Sequence, residues 1–346
     1  MRIGIVNDMV TAAEALRRII ATAPEHQVAW TAANGTEAVR MCAADLPDLV
    51  LMDLIMPEMD GVEATRRIMT ETPCPILIVT SSVEDQAARA FAAMGHGALD
   101  AIDTPALGMG SPLTAARPLL AKIRALNGLT AGTRAGGANR NAPRRRPGAP
   151  LVAIGASAGG PAALAAILEK LPRDFPAAIA IVQHIDERFA AGMAGWLTQH
   201  SAVPVRLAIE GAVPQVGTVL LAGTSDHMVA KGNGRLGYTQ QPAAAIYRPS
   251  IDVFFDSLCA HWSGEVVGVL LTGMGADGAR GLKALRDAGH HTIAQDRATS
   301  AVYGMPKAAA ALSAAVEILP LDGIATALTG MFAQGHRRGG GSRWTY

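Results

Sequence analysis

The chain has 346 residues, more than an ordinary single domain of roughly 100 to 200, so two domains are expected, each with its own core. A net charge of +1 and an aromatic content of 4% exclude both the electrostatic field and the stacking surface that a nucleic-acid partner would need. Cys42, Cys74 and Cys259 are odd in number and lack metal-ligand spacing, so they read as reduced thiols of a cytoplasmic protein.

The opening MRIGIVNDMV has neither the basic segment nor the apolar stretch of a signal peptide. Short apolar runs then alternate with helical patterns. IGIV (3–6) is followed by Ala12, Leu16, Ile19 and Ile20 at helical spacing, then by LVLMD (49–53) and ILIVT (76–80). Such alternation predicts a parallel sheet with helices on both faces. Asn7 and Asp8, then Asp53, then Thr80 stand at the carboxyl ends of three of these strands, where open parallel sheets form their ligand crevice. Two carboxylates on neighbouring strands suit one Mg²⁺, a hard cation that takes a few oxygens and keeps several waters. With that charge screened, Asp53 can attack a phosphoryl group and Thr80 can offer the new phosphate a hydroxyl.

IVND, LMDLIMPEMDG (51–61) and IVTSS together resemble a two-component receiver domain over residues 1–105. The resemblance implies a flavodoxin-like five-stranded parallel sheet with helices on both faces. It puts Asp53 in the phosphoacceptor position, Asp8, Asp53 and the Ile55 carbonyl around Mg²⁺, and Thr80 in the switch position. Two residues depart from the pattern. Asn7 replaces one of two adjacent acids, and IDTP (102–105) has Thr104 where a lysine precedes proline. Weaker metal binding and a looser phosphate switch are expected.

Residues 127–150, NGLTAGTRAGGANRNAPRRRPGAP, contain five Gly, three Pro and five Arg, no acid and one large aliphatic residue. A flexible linker is predicted, assigned to 106–149, with its RRRP run (144–147) solvated. A second α/β region follows, with strands expected at LVAIG (151–155), AIAIVQH (178–184), VRLAI (205–209), VLLAG (219–223) and VVGVLLTG (266–273). Residues 151–168 carry no charge, but Gly155, Gly159, Gly160 and Pro161 divide them into a buried strand and a buried helix rather than a membrane span. Residues 331–346 are expected to be a disordered tail.

GASAG (155–159) fits G-x-S-x-G, in which small neighbours expose a serine on a tight turn and the following amides can bind an oxyanion. That stretch alone leaves three readings open: a nucleophile, a nucleotide loop without a Walker lysine, or a plain turn. A serine nucleophile also needs a base and an orienting acid. His184 at the end of AIVQH and Asp277 in LTGMGADGARG (271–281) lie just past other strands and supply them. His200, His261, His290 and His291 stand in less pointed contexts and are expected to be packed or solvated. The order Ser, His, Asp differs from that of α/β-hydrolases.

GASAGG, VQHI with Phe189, YRPSIDVFF (247–255), LTGMGADGARGL (271–282) and AQDRATSAVYGMPKAA (294–309) together resemble the catalytic domain of the CheB family of chemotaxis protein-glutamate methylesterases. The resemblance covers residues 150–330 and implies a doubly wound, mostly parallel α/β domain. Ser157 is carried over as nucleophile, His184 as base, Asp277 as orienting acid, and the Ala158 and Met274 amides as the oxyanion hole. Ala158 stands where many relatives have threonine. IGIVNDM and IDTP are similar to the branch found in Wsp-type surface-sensing systems.

What the resemblance implies is hydrolysis of glutamate γ-methyl esters, and deamidation of glutamines, on the cytoplasmic region of a methyl-accepting chemoreceptor. A CheA-type histidine kinase would be the phosphodonor and the cytoplasm the location, with Mg²⁺ in the receiver, no cofactor for ester hydrolysis, and neither nucleic-acid binding nor membrane insertion. The receiver is expected to cover the cleft until Asp53 gains about −1.5 to −2 charges. Two rivals remain at this point, a receptor-binding adaptor without activity and a nucleotide-binding output domain. Arg248, Asp252 and Met305 read as an ion pair and a packing residue or, alternatively, as lining of the peptide cleft.

Overall fold

The computed structural model describes residues 1–83, 85–105, 112–127, 149–243 and 245–335. The chain divides into two compact units, Met1–Thr133 and Arg134–Tyr346.

The first unit begins with β1 (Arg2–Val6), α1 (Val10–Ala21), β2 (Gln27–Ala32), α2 (Gly35–Ala44) and β3 (Leu49–Met52). It continues through α3 (Gly61–Glu71), β4 (Ile76–Thr80), α4 (Ala87–Gly95), β5 (Asp100–Asp103) and α5 (Pro112–Asn127). Five parallel strands lie in the order β2-β1-β3-β4-β5. The all-apolar runs of β3 and β4 are buried at every position, as expected of strands covered on both faces. On α1 the buried stripe is Ala13, Leu16, Ile19 and Ile20, so the sequence pattern was right except that Ala13 rather than Ala12 faces inward.

Part of the stretch expected as a linker, 106–149, is helical. Helix α5 packs against α1 and buries Ala116, Leu119, Leu120 and Ile123. Lys122 reaches Asp100 at 2.5 Å and the Ala101 carbonyl at 2.9 Å, and Arg124 pairs with Glu25 at 3.1 Å. The helix therefore belongs to the first unit. Residues 128–148, including the RRRP run, lie outside the described residues.

The second unit runs β6 (Leu151–Ala156), α6 (Gly160–Lys170), β7 (Ala178–Gln183), α7 (Glu187–Gln199), β8 (Val205–Leu207), β9 (Val219–Leu221), β10 (His227–Lys231) and β11 (Arg235–Thr239). It closes with α8 (Ile251–His261), β12 (Val266–Leu270), α9 (Ala279–Asp287), β13 (His291–Gln295), α10 (Met305–Ala311), β14 (Glu317–Leu319) and α11 (Leu321–Gly335). Seven parallel strands lie in the order β14-β13-β12-β6-β7-β9-β8, while β10 and β11 form a separate antiparallel hairpin. Phe254, Phe255 and Leu258 of α8 are fully buried, in one core cluster with Met228 and Leu236 of the hairpin. At about 1.5–3 kcal/mol for each such side chain, this burial anchors the start of α8, which matters for the site. The expected tail also begins too early, because α11 continues to Gly335; residues 336–346 lie outside the described residues.

In both sheets the first strand has one successor on each side. β1 lies between β2 and β3, and β6 lies between β7 and β12. Each is a topological switch point, where the loops at the carboxyl ends diverge and leave a crevice.

Candidate active site

At the first switch point Asp8 follows β1 and Asp53 follows β3, on strands whose register pairs Val6 with Met52. Asn7 is buried there. Its Oδ1 accepts from the Met9 amide at 2.9 Å, which aims its Nδ2 at Asp53 Oδ2, 2.9 Å away. Burial pushes the Asp53 carboxyl above the usual carboxylate range, and the Asp8 charge adds to this. The amides of Leu54 and Ile55 and the nearby Thr80 hydroxyl oppose the rise. Thr80 Oγ1 itself is buried and makes no hydrogen bond of normal geometry among the described residues. Thr104 joins the same strand end through its amide, which donates to the Thr80 carbonyl at 2.7 Å.

Two carboxylates that repel each other, with a backbone carbonyl at Ile55 close by in sequence, make a hard, all-oxygen donor set suited to Mg²⁺. Among the described residues no group of three or more His, Cys, Asp or Glu side chains is gathered for a metal.

At the second switch point Ser157 follows β6, His184 follows β7, and the loop after β12 carries Met274 and Asp277. Ala156 is registered opposite Gln183, so Ser157 and His184 are each one residue past a paired position on adjacent strands. The turn is tight: Ser157 N–H donates to the Thr272 carbonyl at 3.1 Å, and Gly160 N–H donates to the Ser157 carbonyl at 2.7 Å. Gly159 has φ 75°, a left-handed conformation, and a Cβ there would lie 2.6 Å from the Ala301 Cβ. Gln183 Nε2 donates to the carbonyls of both Ser157 (2.9 Å) and His184 (3.2 Å), tying the two strand ends together.

Asp277 is 9% exposed, and each of its oxygens accepts two hydrogen bonds. Oδ2 takes His184 Nε2–H at 2.8 Å and the Ile251 amide at 2.7 Å. Oδ1 takes the Ser250 hydroxyl at 2.8 Å and the Asp252 amide at 3.2 Å. Burial alone would raise the pKa of this acid. The His184 bond and charge, the Ile251 amide and the Ser250 hydroxyl outweigh burial and hold it below the ordinary carboxylate range. An ionised Asp277 fixes the proton of His184 on Nε2. His184 Nδ1 is then the free lone pair, buried and without a hydrogen-bond partner among the described residues. Ser157, His184 and Asp277 thus follow three adjacent strands, with His184 and Asp277 joined by a hydrogen bond.

Ala158 N–H and Met274 N–H stand on the loops that flank Ser157. Thr272 holds those loops together, its hydroxyl donating to the Ala158 carbonyl at 3.0 Å and accepting from Val302 N–H at 2.9 Å. The three other residues singled out from YRPSIDVFF and YGMP resolve separately. Arg248 pairs with Asp226 at 3.0 Å, Asp252 receives Gly281 N–H at 2.7 Å and lies 3.3 Å from Arg280, and Met305 is fully buried. Arg248 and Asp252 each have another partner, so the ion pair between them is not formed. His200 is exposed and bonds the Trp196 carbonyl of the preceding helix at 2.9 Å, apart from the site.

Sequence reasoning missed Gln183, Thr272 and Ser250. Ser250 had a readable signal, since a serine before an apolar helical run with Asp252 in the first turn is a helix cap, and its hydroxyl does accept from Val253 N–H at 3.3 Å. Nothing in the sequence indicated that the same hydroxyl would serve Asp277.

Residues 152–328 match the family described as CheB methylesterase, and residues 3–106 match the response regulator receiver domain. The chain is 60% identical over 340 residues to a protein of Pseudomonas putida named protein-glutamate methylesterase/protein-glutamine glutaminase of group 3 operon, covering 96% of this chain and all of that one. A Burkholderia thailandensis protein named protein-glutamate methylesterase/protein-glutamine glutaminase 4 is 58% identical, with 98% of this chain and 99% of that one covered. Among solved structures, the Thermotoga maritima CheB methylesterase catalytic domain superposes with a TM-score of 0.51 at 33% identity, over 53% of this chain and 98% of that one.

Proposed function

The chain belongs to the CheB methylesterase family, and we propose that Ser157, His184 and Asp277 carry out its chemistry, with the Ala158 and Met274 amides as the oxyanion hole. It is a protein-glutamate methylesterase and protein-glutamine glutaminase, and its receiver domain puts it under phosphorylation control. The reading of the site rests on one observation above all: Asp277 occupies Nε2 of His184 and leaves Nδ1 without a partner among the described residues, on the strand next to the one that carries Ser157.

His184 Nδ1 takes the Ser157 proton as Oγ attacks the ester carbonyl, and the tetrahedral oxygen anion is held by the two backbone amides. The imidazolium, supported by Asp277, returns the proton to the leaving methoxide, and methanol departs. Water then repeats the cycle on the acyl-serine and frees glutamate. With a glutamine substrate the same intermediate forms and ammonia leaves instead.

The substrate in this reading is the cytoplasmic region of a methyl-accepting chemoreceptor, and the phosphodonor is a CheA-type histidine kinase in the cytoplasm. No helix among the described residues is long and apolar enough to cross a membrane. In the receiver, Asp53 accepts the phosphoryl group and Thr80 offers the phosphate its hydroxyl. Mg²⁺ held by Asp8, Asp53 and the Ile55 carbonyl would screen the charge on the acceptor. IGIVNDM and IDTP support the Wsp-type branch.

The test is methanol release from a methylated receptor fragment. Ser157→Ala and His184→Gln are each expected to lower kcat by about 10⁴-fold or more with the fold unchanged. More than a few per cent of wild-type rate in either variant would remove the triad.

A further inference from the structure

The imidazole of His184 lies face to face with the ring of Tyr247, the centroids 4.6 Å apart and the planes within 4° of parallel. We propose that Tyr247 is a positioning residue for ester hydrolysis, its ring the platform that holds the His184 imidazole in the plane joining Asp277 to Ser157. The inference rests on His184 being the base. One in-plane hydrogen bond, from Nε2 to Asp277, leaves the ring free to swing about that bond, and the terminal torsion of histidine is a broad well. A ring face in contact removes this freedom. The negative face of a phenol ring also favours the imidazolium that forms when His184 takes the serine proton.

The platform is itself held. Tyr247 is half-buried against the loop that carries Met274 and Asp277, and it is the glycine at 275 that admits it, since a Cβ there would lie 2.4 Å from Tyr247 Oη. Three residues further on, Ser250 and then Ile251 and Asp252 make their bonds to Asp277. One short segment, 247–252, thus grips the carboxylate by hydrogen bonds and the imidazole by its face. Burial first, and then the Asp277 charge, push the Tyr247 phenol up, so it stays neutral. Its hydroxyl is not among the four donors to Asp277. The ring face is what the site uses, and phenylalanine supplies the same face.

Steady-state methanol release by the full-length protein, with melting curves for every variant, tests this. Tyr247→Phe is expected to keep kcat and KM within about two-fold, while Tyr247→Leu lowers kcat roughly 3- to 10-fold with KM little changed. Tyr247→Met, flexible and equally without a face, repeats the measurement should the leucine variant not fold. Wild-type kcat in a folded Leu or Met variant would overturn the proposal. So would a loss in Phe as large as in Leu, which would assign the role to the hydroxyl, or an effect confined to KM, which would make Tyr247 a substrate contact. Ser157→Ala and His184→Gln are run alongside. If either keeps its activity, the base assignment is what fails and the platform falls with it; if both are inactive, Tyr247 stands or falls on its own variants.

Discussion

At Asp277 four donors converge on two oxygens, and this count determines what an isosteric change does. An amide at position 277 must turn its NH₂ toward one of the two donor pairs. Facing Ser250 and Asp252, it opposes the Asp252 N–H; facing His184 and Ile251, it opposes the Ile251 N–H and drives His184 to the tautomer with its proton on Nδ1, where it can no longer act as base. Asp277→Asn is therefore expected to lower kcat by about 10² to 10⁴-fold, measured on methylated receptor, and kcat equal to wild type would show that the acid is misassigned. Stability carries the same signature. The folded-state pKa of Asp277 lies below its unfolded value of about 3.9. Its contribution is then full above that pH and is lost as pH falls through the lower folded value. Urea midpoints from pH 7 to pH 3 are expected to show wild type more stable than Asp277→Asn at neutral pH, with the gap closing in acid. A gap independent of pH would contradict the assignment.

The elements deliver the catalytic groups by different routes, and their legibility in the sequence differs for that reason. β6, β7 and β12 are apolar runs ending in polar residues, a local pattern, and all three were expected close to where they lie. The hairpin β10–β11 was not read although its Gly232-Asn233-Gly234 turn is a local signal for it, while the strands β13 and β14 and helix α5 were not read because they pack on other parts of the chain and carry little pattern of their own. The loop after β12 shows how close packing sets the site. A Cβ on Gly273 would lie 2.7 Å from the Ser157 Cβ and 2.3 Å from Sδ of the fully buried Met305, so these neighbours must shift to admit it. Gly273→Ala is expected to cost about 1–3 kcal/mol of stability and, by displacing the nucleophile, roughly 10²-fold in kcat. Denaturant unfolding and methanol release check the two effects, and unchanged kcat would show that Ser157 tolerates the displacement.

In the whole molecule, control in the proposed reading passes through the receiver, where Asn7 and Thr104 stand at positions expected to weaken the switch. Asn7 donates a hydrogen bond to Asp53, and Thr104, just past β5, donates its amide to the Thr80 carbonyl. A small-molecule phosphodonor is expected to raise the methanol release rate of the full-length protein, and Asp53→Asn to abolish the response. Thr104→Lys is expected to enlarge it, since an ammonium makes a charge-assisted bond to the aspartyl phosphate where a hydroxyl makes a neutral one. Initial rates of the three proteins with and without phosphodonor decide this; a response that survives in Asp53→Asn would place control elsewhere than at this carboxylate.

By itself the sequence determined the class of both sheets and the strand ends at which Asp8, Asp53, Ser157, His184 and Asp277 stand, because strand–helix alternation and the polar residues closing each strand are written within a few consecutive positions. It also determined the turn at Ser157, since GASAGG supplies the small residues that the backbone there requires. Only the tertiary structure decided which nitrogen of His184 is open, that Ser250 and the first amides of α8 complete the acid's partners, that Tyr247 lies across the imidazole, and that α5 closes the first unit. Those contacts join residues 25 to 93 positions apart, or two helices from opposite ends of a unit. They follow from strand order and helix packing, which depend on how the whole chain buries its apolar surface rather than on any one stretch of it.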